Sequence, residues 1–89
     1  MATSSANLGP PTGAVVRSAA ALGRALHALR LASGMTQSEL AERARTNRFS
    51  IAQLENGEQT RALEKVFDTL AALDLELVVR PRQKWQTTR

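Results

Sequence analysis

Eighty-nine residues, 43% of them apolar, are enough for one small domain, and at that size a second copy is a natural source of added stability. The absence of cysteine and the single histidine, His27, exclude disulfides, thiolate metal sites and imidazole clusters. The formal net charge is +4, but Arg80, Arg82, Lys84 and Arg89 at the C-terminus supply all of it, and residues 17–79 carry eight basic and eight acidic side chains. Net basicity alone therefore does not identify a nucleic-acid partner, and the clustering of Arg43, Arg45 and Arg48 carries more information.

Residues 1–16, MATSSANLGPPTGAVV, have no charged side chain and no long apolar run. They are expected to be a flexible leader, with neither a signal peptide nor a membrane span. Residues 17–79 read as a single domain. Ser18 is a candidate N-cap, and Leu22, Ala25, Leu26 and Leu29 recur at helical spacing until Ser33 and Gly34 end the run. Thr36 followed by Glu39 forms a capping-box pattern that opens a second helix, with Leu40, Ala41 and Ala44 on its buried side.

After a break at Arg45 and Thr46, Asn47 caps a third helix that buries Ile51 and Leu54 and stops at Gly57. From Thr60, the spacing of Leu63, Val66, Phe67, Leu70 and Leu73 predicts a fourth amphipathic helix up to Asp74. The run Leu75, Glu76, Leu77, Val78, Val79 alternates and predicts a strand before Pro81. Residues 80–89 form a basic tail containing Trp85. No glycine-rich phosphate loop follows a strand, and no Ser/His/Asp arrangement has a supporting fold, so neither enzymatic activity nor a cofactor or metal is expected.

Two short helices joined by a tight turn, the second and third here, describe a helix-turn-helix. Its first helix braces on the DNA backbone, and its second presents outward side chains to the major groove. With Ile51 and Leu54 facing inward, Arg48, Phe49, Ala52 and Gln53 lie on the outward arc with Ser50 beside it. Arg48 suits guanine, Gln53 suits adenine and Phe49 suits a thymine methyl. The blander readings are a solvated Arg48 and a core-filling Phe49. Met35 and Phe67 read as core residues, and His27 as a surface or boundary residue.

The segment Thr36-Gln37-Ser38-Glu39-Leu40-Ala41, followed by Ser50-Ile51-Ala52-Gln53-Leu54-Glu55-Asn56-Gly57, resembles the Xre or lambda-repressor-like helix-turn-helix family. Within it, Leu70 to Pro81 resembles HipB-type antitoxins. The resemblance implies a mainly α fold of four to five helices with one C-terminal β-strand that pairs in a homodimer. It also implies a buried Arg30–Glu55 salt bridge, the alternative being a solvated Glu55 at the helix end, and a phosphate contact at Gln37, which could instead be a surface helix former. Asn47, Asn56 and Arg61 are candidates for DNA-backbone contact, with solvent exposure as the alternative for the last two.

Arg45 stands where the family usually has glycine, which predicts a left-handed residue that either meets a phosphate or is strain tolerated by packing. The strand residues Leu75, Leu77, Val78 and Val79 are expected to pair across a two-fold axis, since a lone strand leaves its backbone unpaired. The alternative is an extended tail packed on the fourth helix. Trp85 is either an anchor for a partner or folds back on the dimer's own sheet.

The implied function is that of a DNA-binding antitoxin, cytoplasmic and nucleoid-associated. It would repress its own operon by binding palindromic double-stranded operator DNA and would bind a HipA-type Ser/Thr kinase toxin, with no membrane partner. The competing readings are a stand-alone Xre repressor and a protein-interaction module that has lost DNA binding.

Overall fold

Each helix begins where a short polar side chain can accept a backbone N–H, and each ends where one residue turns left-handed. A computed structural model describes residues 13–82. Its elements are β1 (Ala14–Val16), α1 (Ala19–Ala32), α2 (Gln37–Arg43), α3 (Arg48–Glu55), α4 (Arg61–Ala72) and β2 (Leu77–Val79). Ser18, Thr36, Asn47 and Thr60 cap the four helices by accepting from the N–H groups of Ala21, Glu39, Ser50 and Leu63. At α2 the Glu39 carboxylate also accepts from the Thr36 N–H at 2.8 Å, which completes the capping box.

The left-handed residues after the four helices are Gly34, Arg45, Gly57 and Asp74. In each case the next N–H reaches back to the helix: Met35 to the Arg30 carbonyl, Thr46 to Ala41, Glu58 to Gln53 and Leu75 to Leu70. These are Schellman ends, which satisfy carbonyls that the helix itself leaves open. Arg45 takes φ +61° between α2 and α3, at a cost of about 1 kcal/mol for a residue with a Cβ.

α1 and α2 both pack on α3. The approach of α1 is close because Gly23 lies against the C-terminal backbone of α3. A Cβ on Gly23 would fall 2.4 Å from the Leu54 carbonyl oxygen and 2.7 Å from that of Glu55. Gly57 likewise sits against the Cα of Ala20. The buried apolar core is small, formed by Val16, Ala19, Ala41, Ile51 and Phe67.

β1 and β2 form a two-stranded antiparallel sheet in the register Ala14 to Val79, Val15 to Val78 and Val16 to Leu77. Val16, 1% exposed, is the most deeply buried large side chain of the described chain. This corrects two expectations. The flexible leader does not extend to residue 16, because residues 14–16 are a strand; residues 1–12 lie outside the described residues. The C-terminal strand is not alone within the chain either, since β1 already satisfies one of its edges.

Leu75 does not belong to that strand. With Asp74 at φ +61°, the Leu75 N–H closes the end of α4 at 2.8 Å, and pairing starts only at Leu77. Leu54 is 40% exposed rather than inward-facing, because Ile51 and Glu55, one turn apart, centre the buried face of α3 and leave Leu54 on its flank. Ala44 is exposed as the C-cap of α2. The described residues thus make a mainly helical fold of four helices and one small sheet.

Because Gly23 has no room for a methyl group, Gly23→Ala should push α1 away from α3 and destabilise the fold by about 1–3 kcal/mol, the usual cost of overpacking. Thermal unfolding followed by circular dichroism would show this as a melting temperature several degrees lower.

Candidate nucleic-acid interface

α3 is held by a carboxylate. Glu55, its last residue, is buried with a side chain only 3% exposed, and both of its oxygens are occupied. Arg30 of α1, 8% exposed, donates from Nε to Oε2 at 2.6 Å and from Nη2 to Oε1 at 3.0 Å. The remaining guanidinium nitrogen, Nη1, donates to the Met35 carbonyl at 2.8 Å and so ties the α1–α2 loop into the same group. A bidentate arginine fork of this kind fixes angle as well as distance.

Two further side chains converge on Oε1: His27 Nδ1 at 2.9 Å and Gln37 Nε2 at 3.1 Å. An ionised carboxylate only accepts, so the His27 contact requires a proton on Nδ1. His27 itself is half exposed. The Arg30 hydrogen bond draws the Glu55 carboxyl well below its ordinary range, from 4.5 to about 2, against the opposing effect of burial and with help from His27 and Gln37. The Glu55 carboxylate in turn raises Arg30 further above its already high value. The Arg30–Glu55 pair is therefore charged at any ordinary pH.

With that face locked, the N-terminal turns of α3 are left open. Arg48 and Phe49 are exposed, Phe49 at 68%, and Ser50, Ala52 and Gln53 are half-buried. Phe49 does not fill the core. Gln53 Nε2 donates to Glu58 Oε1 at 3.1 Å. Asn47 uses its side-chain oxygen to cap α3, accepting from the Ser50 N–H at 2.8 Å. Asn56 is the exposed C-cap of α3, and Arg61 is exposed at the start of α4. Among the described residues Arg43, Arg45, Arg48 and Arg61 join no ion pair; those present are Arg17–Glu76, His27–Glu55 and Arg30–Glu55.

Gln37, placed at the first turn of α2, is thus joined to the same acid that locks α3. Leu77, Val78 and Val79 lie in β2, remote in sequence from this face, while Trp85 lies outside the described residues. Two participants were not foreseen. His27 sits one turn before Arg30 on α1, and that spacing is the signal that could have placed it at Glu55. Glu58, just past the glycine stop, had no such signal.

Among the described residues no helix is long and apolar enough to cross a membrane. Residues 21–82 match a family model described as a helix-turn-helix domain. No curated protein and no solved structure matches the chain.

The low pKa of Glu55 carries a sign. A carboxylate at 4.5 when unfolded and about 2 when folded contributes stability that is fully present above 4.5 and is lost as the pH falls towards 2. The contribution is of the order of 3 kcal/mol. Glu55→Gln should therefore be less stable than the parent at neutral pH and lose less on acidification through this window, as read by chemical denaturation at stepped pH. Glu55→Ala, which strands the Arg30 charge, should cost about 3–5 kcal/mol.

Proposed function

This chain belongs to the helix-turn-helix domain family, a family of DNA-binding domains, and we infer that it is a sequence-specific repressor that acts as a homodimer on a palindromic duplex operator. The observation that carries the reading is a short helix locked along one face by Glu55 and Gly23 while its leading turn presents Arg48 and a largely bare Phe49. A reading helix needs this combination, because base discrimination depends on side chains held in fixed register against the groove.

In this arrangement α3 enters the major groove, with Arg48, Phe49, Ser50, Ala52 and Gln53 towards the bases. Gln37, Arg45, Asn47, Asn56 and Arg61 face the backbone. The Gln37 amide nitrogen carries two hydrogens, so one remains for a phosphate oxygen while Glu55 holds the other. The left-handed Arg45 projects from the turn between the two helices, where the cost of its conformation is offset by a phosphate contact.

Dimerisation is supported by what the chain leaves open. A two-stranded sheet is marginal by itself, and among the described residues each of its strands retains an unpaired edge. Val15 and Val78, paired across the sheet, are half exposed on its outer side, and Val66, Leu73 and Leu75 are exposed as well. A second copy covering these residues would complete the core and set two α3 helices on one face of the DNA. The resemblance of residues 70–81 to HipB-type antitoxins extends the reading to an autorepressing antitoxin with a HipA-type Ser/Thr kinase toxin as partner.

Footprinting on the DNA upstream of the gene should reveal two symmetric half-sites with centres about 34 Å, or a multiple, apart. A single asymmetric footprint, or none, would count against the dimeric repressor. Arg45→Ala should lower the magnitude of the salt dependence of operator binding, log Kd against log salt, by roughly one phosphate contact with base preference unchanged. Co-purification of a kinase with the tagged protein from its own host would support the toxin partner.

A further inference from the structure

The side chain best placed to read adenine is already held by an acid. Gln53 Nε2 donates to Glu58 Oε1 at 3.1 Å, and the Glu58 backbone N–H donates to the Gln53 carbonyl at 3.0 Å. The second bond belongs to the Schellman end of α3, set by Gly57 at φ +76°. The backbone thus delivers Glu58 to Gln53, which distinguishes the side-chain contact from a chance meeting of two surface groups.

We propose that Glu58 is a specificity-determining residue that orients the Gln53 carboxamide for the base it reads, an inference that rests on Gln53 being a base reader. A free glutamine amide can rotate by half a turn and exchange its oxygen and nitrogen. Beside a carboxylate it cannot, because the acid accepts from the NH₂ group and repels the carbonyl oxygen. Nε2 is therefore held on the Glu58 side, with one hydrogen and Oε1 left free. One donor and one acceptor match the N7 and N6 pattern of adenine. Guanine would set Oε1 against O6, two acceptors facing each other.

The same carboxylate repels phosphates. Glu58 is exposed and joins no ion pair among the described residues, so its charge weakens binding to every duplex alike. Orientation and repulsion thus predict opposite changes when the acid is removed: tighter binding overall and poorer choice of base. Glu58→Ala keeps the backbone N–H that closes α3 and leaves Gly57 in place, so the fold is retained.

The test compares the full-length parent, Glu58→Ala, Glu58→Gln, Gln53→Ala and the double variant, first by selection from a random duplex library and then by anisotropy on defined duplexes. The position read by Gln53 is the one whose preference Gln53→Ala abolishes. Glu58→Ala should bind all duplexes more tightly yet lose about three- to tenfold of its adenine-to-guanine preference there, a fraction of what a bidentate contact supplies. Glu58→Gln, which keeps an acceptor oxygen, should gain affinity and retain most of the preference. In the Gln53→Ala background Glu58→Ala should leave base preference unchanged.

An unchanged adenine-to-guanine ratio in Glu58→Ala, or an equal change in the Gln53→Ala background, overturns the proposal. In the DNA-free protein the Gln53 side-chain N–H resonances should move in Glu58→Ala; if they do not, the bond is absent and the proposal falls whatever the DNA data show. If they move but the parent selects no duplex, the DNA-reading assignment itself is wrong, and the role of Glu58 falls with it.

Discussion

The carboxylate of Glu55 is the point at which three helices meet. It takes four hydrogen-bond contacts, two from Arg30 on α1, one from His27 on the same helix and one from Gln37 on α2, and it stands at the end of α3. Moving a carboxylate and a guanidinium out of water is expensive, and only a full set of partners offsets that cost. Here the partners are supplied by the elements whose mutual angle matters for function. An apolar contact could hold α3 as strongly, but it would not fix the helix's rotation, because apolar contacts are non-directional and the fork is not.

Small residues make the bond reachable. Gly23 lets α1 come down onto the last carbonyls of α3, and Gly57 turns the chain away beneath Ala20. The price of so close a crossing is a core with few large side chains: among the described residues Val16, Ile51 and Phe67 are the buried apolar residues larger than alanine. The short sheet compensates in part, since β1 carries Val16 inward against the helices. Apolar side chains stay exposed on α4 and on the sheet, and in the proposed dimer a second copy would cover them.

Much of the fold was legible because its punctuation is local. Ser18, Thr36, Asn47 and Thr60 announce helix starts through their own side chains, and Gly34 and Gly57 announce stops. The helix end at Asp74 is legible from the apolar spacing, but a left-handed aspartate looks like any other acid in a sequence, so nothing there shows that the Leu75 N–H closes α4 instead of opening the strand. β1 was not legible at all: three residues after a polar stretch have no period, and their role depends on Leu77–Val79, more than sixty positions away. At the candidate site, the outward placement of Arg48 and Phe49 followed from helical periodicity. The partner of Arg30 came from family resemblance, since no local rule links positions 30 and 55. His27 is legible only through its spacing from Arg30 once the Arg30–Glu55 pair is known, and the contact of Glu58 depends on a backbone turn that composition does not reveal.

In the proposed reading, the face of α3 opposite Glu55 is the surface that meets DNA. Backbone amide chemical-shift mapping during titration with the upstream duplex tests it residue by residue. The largest shifts should fall on residues 48–53 and on the first turn of α2 at Gln37, with β1, β2 and the outer side of α4 little changed. Shifts confined to the sheet and α4, with α3 unmoved, would contradict it and make the helix-turn-helix a scaffold for some other contact.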